Sequence, residues 1–341
     1  MTRSVSILDI ARTAGVSHST VSRALHNSPL ISTDVREQIH KIAKEMGYTP
    51  NAVAQSLKGQ RTHTVGLVVT TIADPFVGRV VRGIDEVAQK ANMDVFLGVS
   101  NNDPEREMAV IESFQRRRVD GIIVTASRLS AQYSDRLARI NIPCVMINQQ
   151  SEIDFAGLHT VSVDDYAGAC QAVSHLTGLG HRSIGYLGAG NRPLSNRRRL
   201  QGYLDSLGAV GITPPDNWIK MTPAGHRYHT DDETDGKSLA SALVDAGVTA
   251  IFCYNDMIAV GALMACHDRR ISVPDQLSIV GYDDIEIAQY VTPPLTTIHQ
   301  PKLRLGQVAM VILNDLMASC VVTDAVLTTE LVMRSSSASA R

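Results

Sequence analysis

The 341-residue chain has no run of about 18 apolar residues, which excludes a membrane-spanning helix. Its first residues, Met1-Thr2-Arg3-Ser4-Val5, lead directly into polar helical sequence. They lack the apolar stretch of a secretory signal, so the expected compartment is the cytoplasm. Cys-x-x-Cys pairs are absent too. The five cysteines (Cys144, Cys170, Cys253, Cys266 and Cys320) are odd in number and scattered, which points to reduced, mostly buried thiols.

Enzyme signatures are equally scarce. There is neither a G-x-x-x-x-G-K-[ST] phosphate loop nor a G-x-S-x-G nucleophile elbow. Gly188-Ala-Gly190 opens like a dinucleotide fingerprint, but Pro193 stands where its third glycine belongs. Asp231-x-Glu233-x-Asp235-Gly236 mimics the start of a calcium loop, yet the twelfth position is Ala242 and not Glu, so an acidic surface loop is expected. His226 and His229 lack partner ligands at zinc spacing. No catalytic residue, metal or cofactor is expected, and no repeat with a period of 20–50 residues is present.

The net charge of −2 is no obvious footprint of a nucleic-acid binder, but its distribution is. Residues 1–62 carry eight basic side chains (Arg3, Arg12, Arg23, Arg36, Lys41, Lys44, Lys58, Arg61) against four acidic ones (Asp9, Asp34, Glu37, Glu45), a balance of +4. The remaining 24 basic and 30 acidic residues give −6. A small basic head on an acidic body suits a modular DNA binder.

Three short helices are legible in that head. Ser6 is placed to cap the first, with Asp9 favourable in its first turn, and the helix runs through Ile10, Ala11 and Ala14 to a sharp turn at Gly15. Ser17 caps the second, which turns Val21, Ala24 and Leu25 inward. The third starts near Ser32 or Thr33, shows Val35, Ile39, Ile42, Ala43 and Met46 at helical spacing, and ends at Gly47. Asn51 to Lys58 favours a further helix of about two turns, too short to be stable alone. A polar linker follows to His63.

From Thr64 the texture alternates between strand and helix. Strands are expected at Val65–Val69, Asp94–Val99, Gly121–Val124, Cys144–Ile147, Ser183–Leu187, Ala250–Tyr254 and Leu277–Val280, with helices such as Phe76–Ala91 and Pro104–Arg117 between them. This βαβ rhythm implies parallel sheets, with ligands at the carboxyl ends of the strands. Spread over about 270 residues it fits two lobes better than one sheet. The serine-rich tail, 335–341, reads as disordered.

The segment Ile7 to Leu25, with its core A-x-x-A-G-V-S-x-x-T-V-S-R, resembles the helix-turn-helix of the lactose-repressor (LacI/GalR) family. The resemblance continues through the third helix, the Gly47-Tyr48-x-Pro50-Asn51 junction and the hinge, and reaches Gly281-Tyr-Asp-Asp284 and Pro293-Pro-Leu-Thr-Thr-Ile298. It implies an N-terminal all-α helix-turn-helix domain (1–50), a hinge helix and linker (51–63), and an α/β two-lobed periplasmic-binding-protein-like effector domain (64–334) built on parallel sheets. Lobe 1 would be 64–162 with 291–322, and lobe 2 would be 163–290 with 323–334. The function implied is sequence-specific transcriptional regulation, as a repressor of a carbohydrate-utilisation operon whose operator affinity is controlled by a sugar-like effector; release and strengthening of DNA binding use the same fold, with ligand polarity favouring release.

By the same resemblance His18, Ser19 and Arg23 are base readers, while Ser17, Thr20, Ser22, Ser32 and Tyr48 are phosphate contacts. This accords with a recognition helix that needs short polar residues at its start and a longer cation beyond. Leu57, between Ser56 and Lys58, falls at the position that wedges a central base step. Asn51 caps the hinge segment and Ala54 admits the partner's hinge. That mechanism requires a homodimer on a roughly palindromic operator. The absence of a leucine heptad tail favours a dimer over a tetramer.

For the effector, the resemblance and the strand-end rule together select Asp74, Phe76, Ser127, Asn148, Arg199, Asn255 and Asp283. Arg199 matches the ligand-clamping arginine of the family, and Asn255 and Asp283 match its polar strand-end residues. Asp74 favours a hydroxylated ligand over a hydrophobic one. Tyr228, in a stretch without a clear family equivalent, is offered as an aromatic wall.

Overall fold

In a computed structural model, residues 5–25, 27–48, 61–151, 157–223 and 232–341 are described. The chain divides into two compact units, Met1–Thr62 and His63–Arg341. The hinge residues Asn51, Ala54, Leu57 and Lys58, and Tyr228, His226 and His229, lie outside the described residues.

The first unit packs α1 (Ile7–Ala14), α2 (His18–Leu25) and α3 (Thr33–Glu45) around Ile10, Ala11, Val21, Ala24, Ile39 and Ala43. Ser6 and Asp9 cap α1 reciprocally: the Ser6 N–H donates to Asp9 Oδ2 at 2.9 Å, and the Asp9 N–H donates to Ser6 Oγ at 3.4 Å. Gly15 turns the chain with φ of 68°, a conformation that glycine adopts without a Cβ penalty.

The second unit contains two six-stranded sheets. The first comprises β1 (Thr64–Val69), β2 (Asp94–Val99), β3 (Gly121–Thr125), β4 (Cys144–Ile147), β5 (His159–Val163) and β11 (Ala325–Leu327), in the order β11-β5-β4-β3-β1-β2, all parallel. The second comprises β6 (Ile184–Gly188), β7 (Ile219–Met221), β8 (Ala250–Cys253), β9 (Ser278–Asp283), β10 (Thr296–His299) and β12 (Glu330–Val332), in the order β12-β10-β9-β8-β6-β7, with only β12 antiparallel.

Helices cover both faces of each sheet, and the strand sequences show why. In β1 Val65, Leu67 and Val69 face one apolar cluster, whereas Val68 faces another, and all four are fully buried. A strand buried on both faces reads as a continuous apolar run without alternation. Each such side chain contributes about 1.5–3 kcal/mol by leaving water. On the first sheet α4 (Pro75–Lys90) and α11 (Lys302–Met317) lie on one side and α5 (Pro104–Arg116) on the other; α6 (Ser134–Leu137) is a short connection. On the second, α7 (Asp165–Gly178) and α8 (Pro193–Ala209) face α9 (Asp232–Asp245) and α10 (Asp256–Asp268) across the strands. Helices α4 and α11 cross closely, because a methyl at Gly83 would collide with the Leu303 carbonyl and one at Gly306 with that of Val80.

The lobe boundaries differ from the sequence reading. Residues 296–299 belong to the second sheet, since Thr296–His299 pairs in parallel with Val280–Asp283. Residues 325–327 belong to the first, where Ala325–Leu327 pairs with Val161–Val163. The crossovers therefore fall near Asp164, Gln300-Pro301 and Thr328-Thr329. The acidic stretch from Asp232 is the first turn of α9, where carboxylates meet the positive end of the helix dipole; it is not a surface loop.

The tail 335–341 is ordered. Ser336 is fully buried, its Oγ donating to the Ile279 carbonyl at 2.6 Å and accepting from the Thr296 N–H at 2.8 Å. His181 Nε2 meets the Ala338 carbonyl at 3.0 Å. Small polar residues suggest disorder by composition, but here serine hydroxyls satisfy a sheet end.

Candidate functional site

Helix α2 begins with a cap the sequence specifies. Ser17 Oγ accepts the Thr20 N–H at 3.1 Å and lies 2.8 Å from the hydroxyls of Ser19 and Thr20. Burial of Val21 and Ala24 turns the other face outward, leaving Ser17, His18, Ser19 and Arg23 exposed and Thr20 and Ser22 half-buried. Ser19 and Arg23, four apart, share that outer face. Ser32 is exposed at the start of α3. Tyr48 is half-buried, and burial raises its pKa.

Between the two sheets of the second unit, strand ends converge on a cleft, the place where this architecture binds small molecules. Asp74, Phe76, Asn148, Arg199, Asn255 and Asp283 all line it. Asp74 caps α4, accepting the Phe76 N–H at 2.9 Å, and so fixes the ring of Phe76 at the wall. Asn255 caps α10 through the Ile258 N–H at 2.8 Å and donates to Asp232 Oδ2 at 2.7 Å.

Arg199 is the centre of the charge network. It is 3% exposed, with Nε and Nη2 each 2.8 Å from Asp165 Oδ1 and Nη1 donating to the Tyr254 carbonyl at 2.5 Å. Its guanidinium lies over Tyr282 at 3.6 Å and Tyr254 at 4.3 Å, and 4.0 Å from Asp283 Oδ1. These carboxylates and ring faces hold it cationic against the cost of burial. Burial pushes Asp283 up to about 7, with the Arg199 cation opposing, and raises Asp165 as well.

Ser127 does not join the site. Its Oγ donates to Glu107 Oε1 at 2.5 Å, away from the cleft, and the Arg128 N–H donates to Glu107 Oε2 at 3.0 Å. Glu107 is a buried carboxyl pushed up to about 7 by desolvation, and such a group requires local donors. That requirement claims the serine.

The cleft also contains residues the sequence reading passed over: Thr70, Thr125, Gln150, Asp165, Arg192, Ser195, Tyr254 and Gln300. Thr70, Thr125, Tyr254 and Gln300 sit at the carboxyl ends of β1, β3, β8 and β10, so the strand-end rule could have found them. Asp165, Arg192 and Ser195 come from the starts of α7 and α8, which only the tertiary fold brings here. Contacts within the cleft also bridge the lobes. Arg192 Nη2 lies 3.7 Å from Asp74 Oδ2, and Ser195 Oγ donates to Gln150 Oε1 at 3.0 Å while lying 2.7 Å from Tyr254 Oη.

Three oxygens in the lining, Thr70 Oγ1, Asn148 Oδ1 and Gln300 Oε1, are buried without a hydrogen-bond partner among the described residues. Native proteins seldom leave such atoms unpaired, and each is open here to a hydrogen-bond donor entering the cleft. Among the described residues no cluster of three His, Cys, Asp or Glu could hold a metal ion, and no helix is long and apolar enough to cross a membrane.

Comparison with known proteins matches this geometry. Residues 6–51 match the profile of the bacterial regulatory proteins of the lacI family, and 173–337 match a periplasmic binding protein-like domain. The chain is 36% identical over 308 residues to the transcriptional regulator GalS of Salmonella typhimurium, covering 89% of this chain and 88% of that protein. It is 35% identical over 305 residues to the ribose operon repressor of Haemophilus influenzae, covering 89% of each. The fold is similar to the lac repressor dimer solved with operator and the anti-inducer ONPF, with a TM-score of 0.86 and 27% identity, covering 98% of this chain and 100% of that one.

Proposed function

Because the chain belongs to the lacI family of bacterial regulatory proteins, we propose that its head and cleft form one switch in which a neutral, hydroxyl-rich effector sets affinity for operator DNA. The protein is a DNA-binding transcriptional repressor under small-molecule control, working as a homodimer on a roughly palindromic site. His18, Ser19 and Arg23 read base edges in the major groove; Ser17, Thr20, Ser22, Ser32 and Tyr48 position the helix on phosphates. Asn51, Ala54, Leu57 and Lys58 form the hinge that enters the minor groove, with Leu57 as the wedge. Effector binding changes the lobes so that paired hinges no longer order, and the operator is released. The protein works in the cytoplasm, and the cleft binds its ligand without turning it over.

The observation that carries the choice of ligand is the set of orphaned oxygens at Thr70, Asn148 and Gln300. Asn148 Oδ1 and Gln300 Oε1 can only accept, so the ligand must donate; hydroxyls do so and phosphate oxygens at neutral pH do so poorly. The cations of the lining, Arg192 and Arg199, both stand beside carboxylates. With Asp74, Asp165 and Asp283 also lining the cleft, the site favours a neutral sugar over a phosphosugar. The ring of Phe76 supplies a face for the apolar side of a pyranose or furanose.

A thermal-shift screen of neutral sugars, sugar phosphates and nucleobases on the full chain tests this. A hundredfold excess over Kd should stabilise the protein by about 2.7 kcal/mol. A neutral sugar should give the rise and weaken an operator gel shift. A response confined to phosphosugars or nucleobases contradicts the ligand reading, and turnover of any of these compounds contradicts the binding role.

A further inference from the structure

The second crossover carries a buried cation outside the lining of the cleft. Lys302 opens α11, a lobe 1 helix, and is 6% exposed. Its Nζ donates to the carbonyl of Asp283, to that of Asp284 at 2.9 Å and to that of Gln300 at 3.2 Å. An ammonium has three donors and no acceptor, so these carbonyls use its whole capacity. The carboxylates of Asp256, Asp283 and Asp284 surround it, the Arg79 cation opposes them, and burial lowers its pKa. Asp284 is in turn held by Arg334 at 2.6 Å and His299 at 2.8 Å, and Asp283 is flanked by Arg199 and Asp74.

The backbone that Lys302 grips is strained. Asp283 and Asp284 have φ of 111° and 55°, a region where a non-glycine residue typically costs about 1–3 kcal/mol. This turn aims the Asp283 carboxylate into the cleft, where Oδ1 accepts from Gln300 Nε2 at 2.5 Å. Two successive carbonyls drawn to one ammonium offset the strain.

We infer that Lys302 is a positioning residue for effector binding, pinning the strained end of β9 in lobe 2 to the first turn of α11 in lobe 1, so that Asp283 is aimed only while the second crossover keeps its path. The inference rests on the reading of the cleft as an effector site. It means that any shift of α11 against β9 reaches the cleft through this ammonium, and that effector contact with Asp283 reaches the crossover by the same route.

The test uses the full chain with K302M, K302R and K302Q, carbon-13-labelled aspartate and amide hydrogen exchange. In the parent protein the Asp283 carboxyl should titrate near 7. K302M removes a cation that lowers it, so the midpoint should rise by about one unit, the size a nearby opposite charge commands. Exchange at residues 283–286 should quicken at least about tenfold while α1–α3 keep theirs, a local loss of protection. K302R, which keeps the charge but has a planar fork, should restore the midpoint and only part of the protection. Should K302M fail to fold, K302R and K302Q decide the same question. An unmoved Asp283 midpoint, or faster exchange spread evenly through the sensor, overturns the inference. Neither readout involves effector or DNA, so a failed operator shift or sugar screen would count against the regulator reading and leave this result standing.

Discussion

At the scale of single residues, burial sets the chemistry of the cleft more than proximity does. Asp283 is surrounded by Arg199 and Lys302, yet desolvation lifts it from 3.8 to about 7. The folded state therefore holds the proton more tightly than the unfolded chain. Its contribution to stability is full below about pH 4 and is lost as pH rises toward 7. D283N should accordingly raise the melting temperature of the ligand-free protein at pH 8, with the gain shrinking to nothing near pH 4, while effector affinity falls at both. Melting curves across that window check it; equal gains at both ends would show that ionisation of Asp283 is not the cause. That Arg199, Asn255, Asp283, Asp74, Phe76 and Asn148 line the cleft was legible because each stands just past a strand end or in a family motif. Ser127 met the same criterion and failed it, because the buried carboxyl that claims it, Glu107, lies 20 residues away in sequence on another element.

At the scale of elements, strong local signals were legible and short pairings were not. Capping at Ser6, the turn at Gly15 and the apolar face of α2 follow from spacing alone. Strands β11 and β12 are three residues each, below the length at which alternation can register, and they exist because β5 and β10 offer them an open edge. The tail is the same lesson in a different chemistry. Ser336 satisfies the Ile279 carbonyl and the Thr296 N–H, both within the second sheet. S336A leaves both groups buried without partners and should cost about 1–3 kcal/mol. Urea unfolding measures this, and an unchanged midpoint would mean that the hydroxyl is dispensable.

At the scale of the molecule, the basic head and acidic body assign separate tasks to separate units. Operator affinity should fall steeply with salt, by roughly a thousandfold between 50 and 200 mM, as counterions released by phosphate contacts compete for rebinding. Arg23→Ala should behave differently. As a base reader it should lose about 1–3 kcal/mol of discrimination between operator and random duplex, with little change in salt slope. Gel shifts at several salt concentrations separate the two; a flattened slope with selectivity intact would make Arg23 a phosphate contact. The two-lobed plan was legible from the number of βαβ units, but the placing of its crossovers was not. A strand's lobe is decided by which edge accepts it, and Thr296–His299 and Ala325–Leu327 look alike in sequence to either sheet.

The edge strands have a consequence for synthesis. Helices α1–α3 are complete once the ribosome has released fewer than fifty residues, and they make a core among themselves. Each sensor sheet gains its last strand only from residues 325–332, so neither sheet is complete until almost the entire chain has emerged. Every nascent copy thus passes through an interval in which the operator reader is formed and its restraint is not.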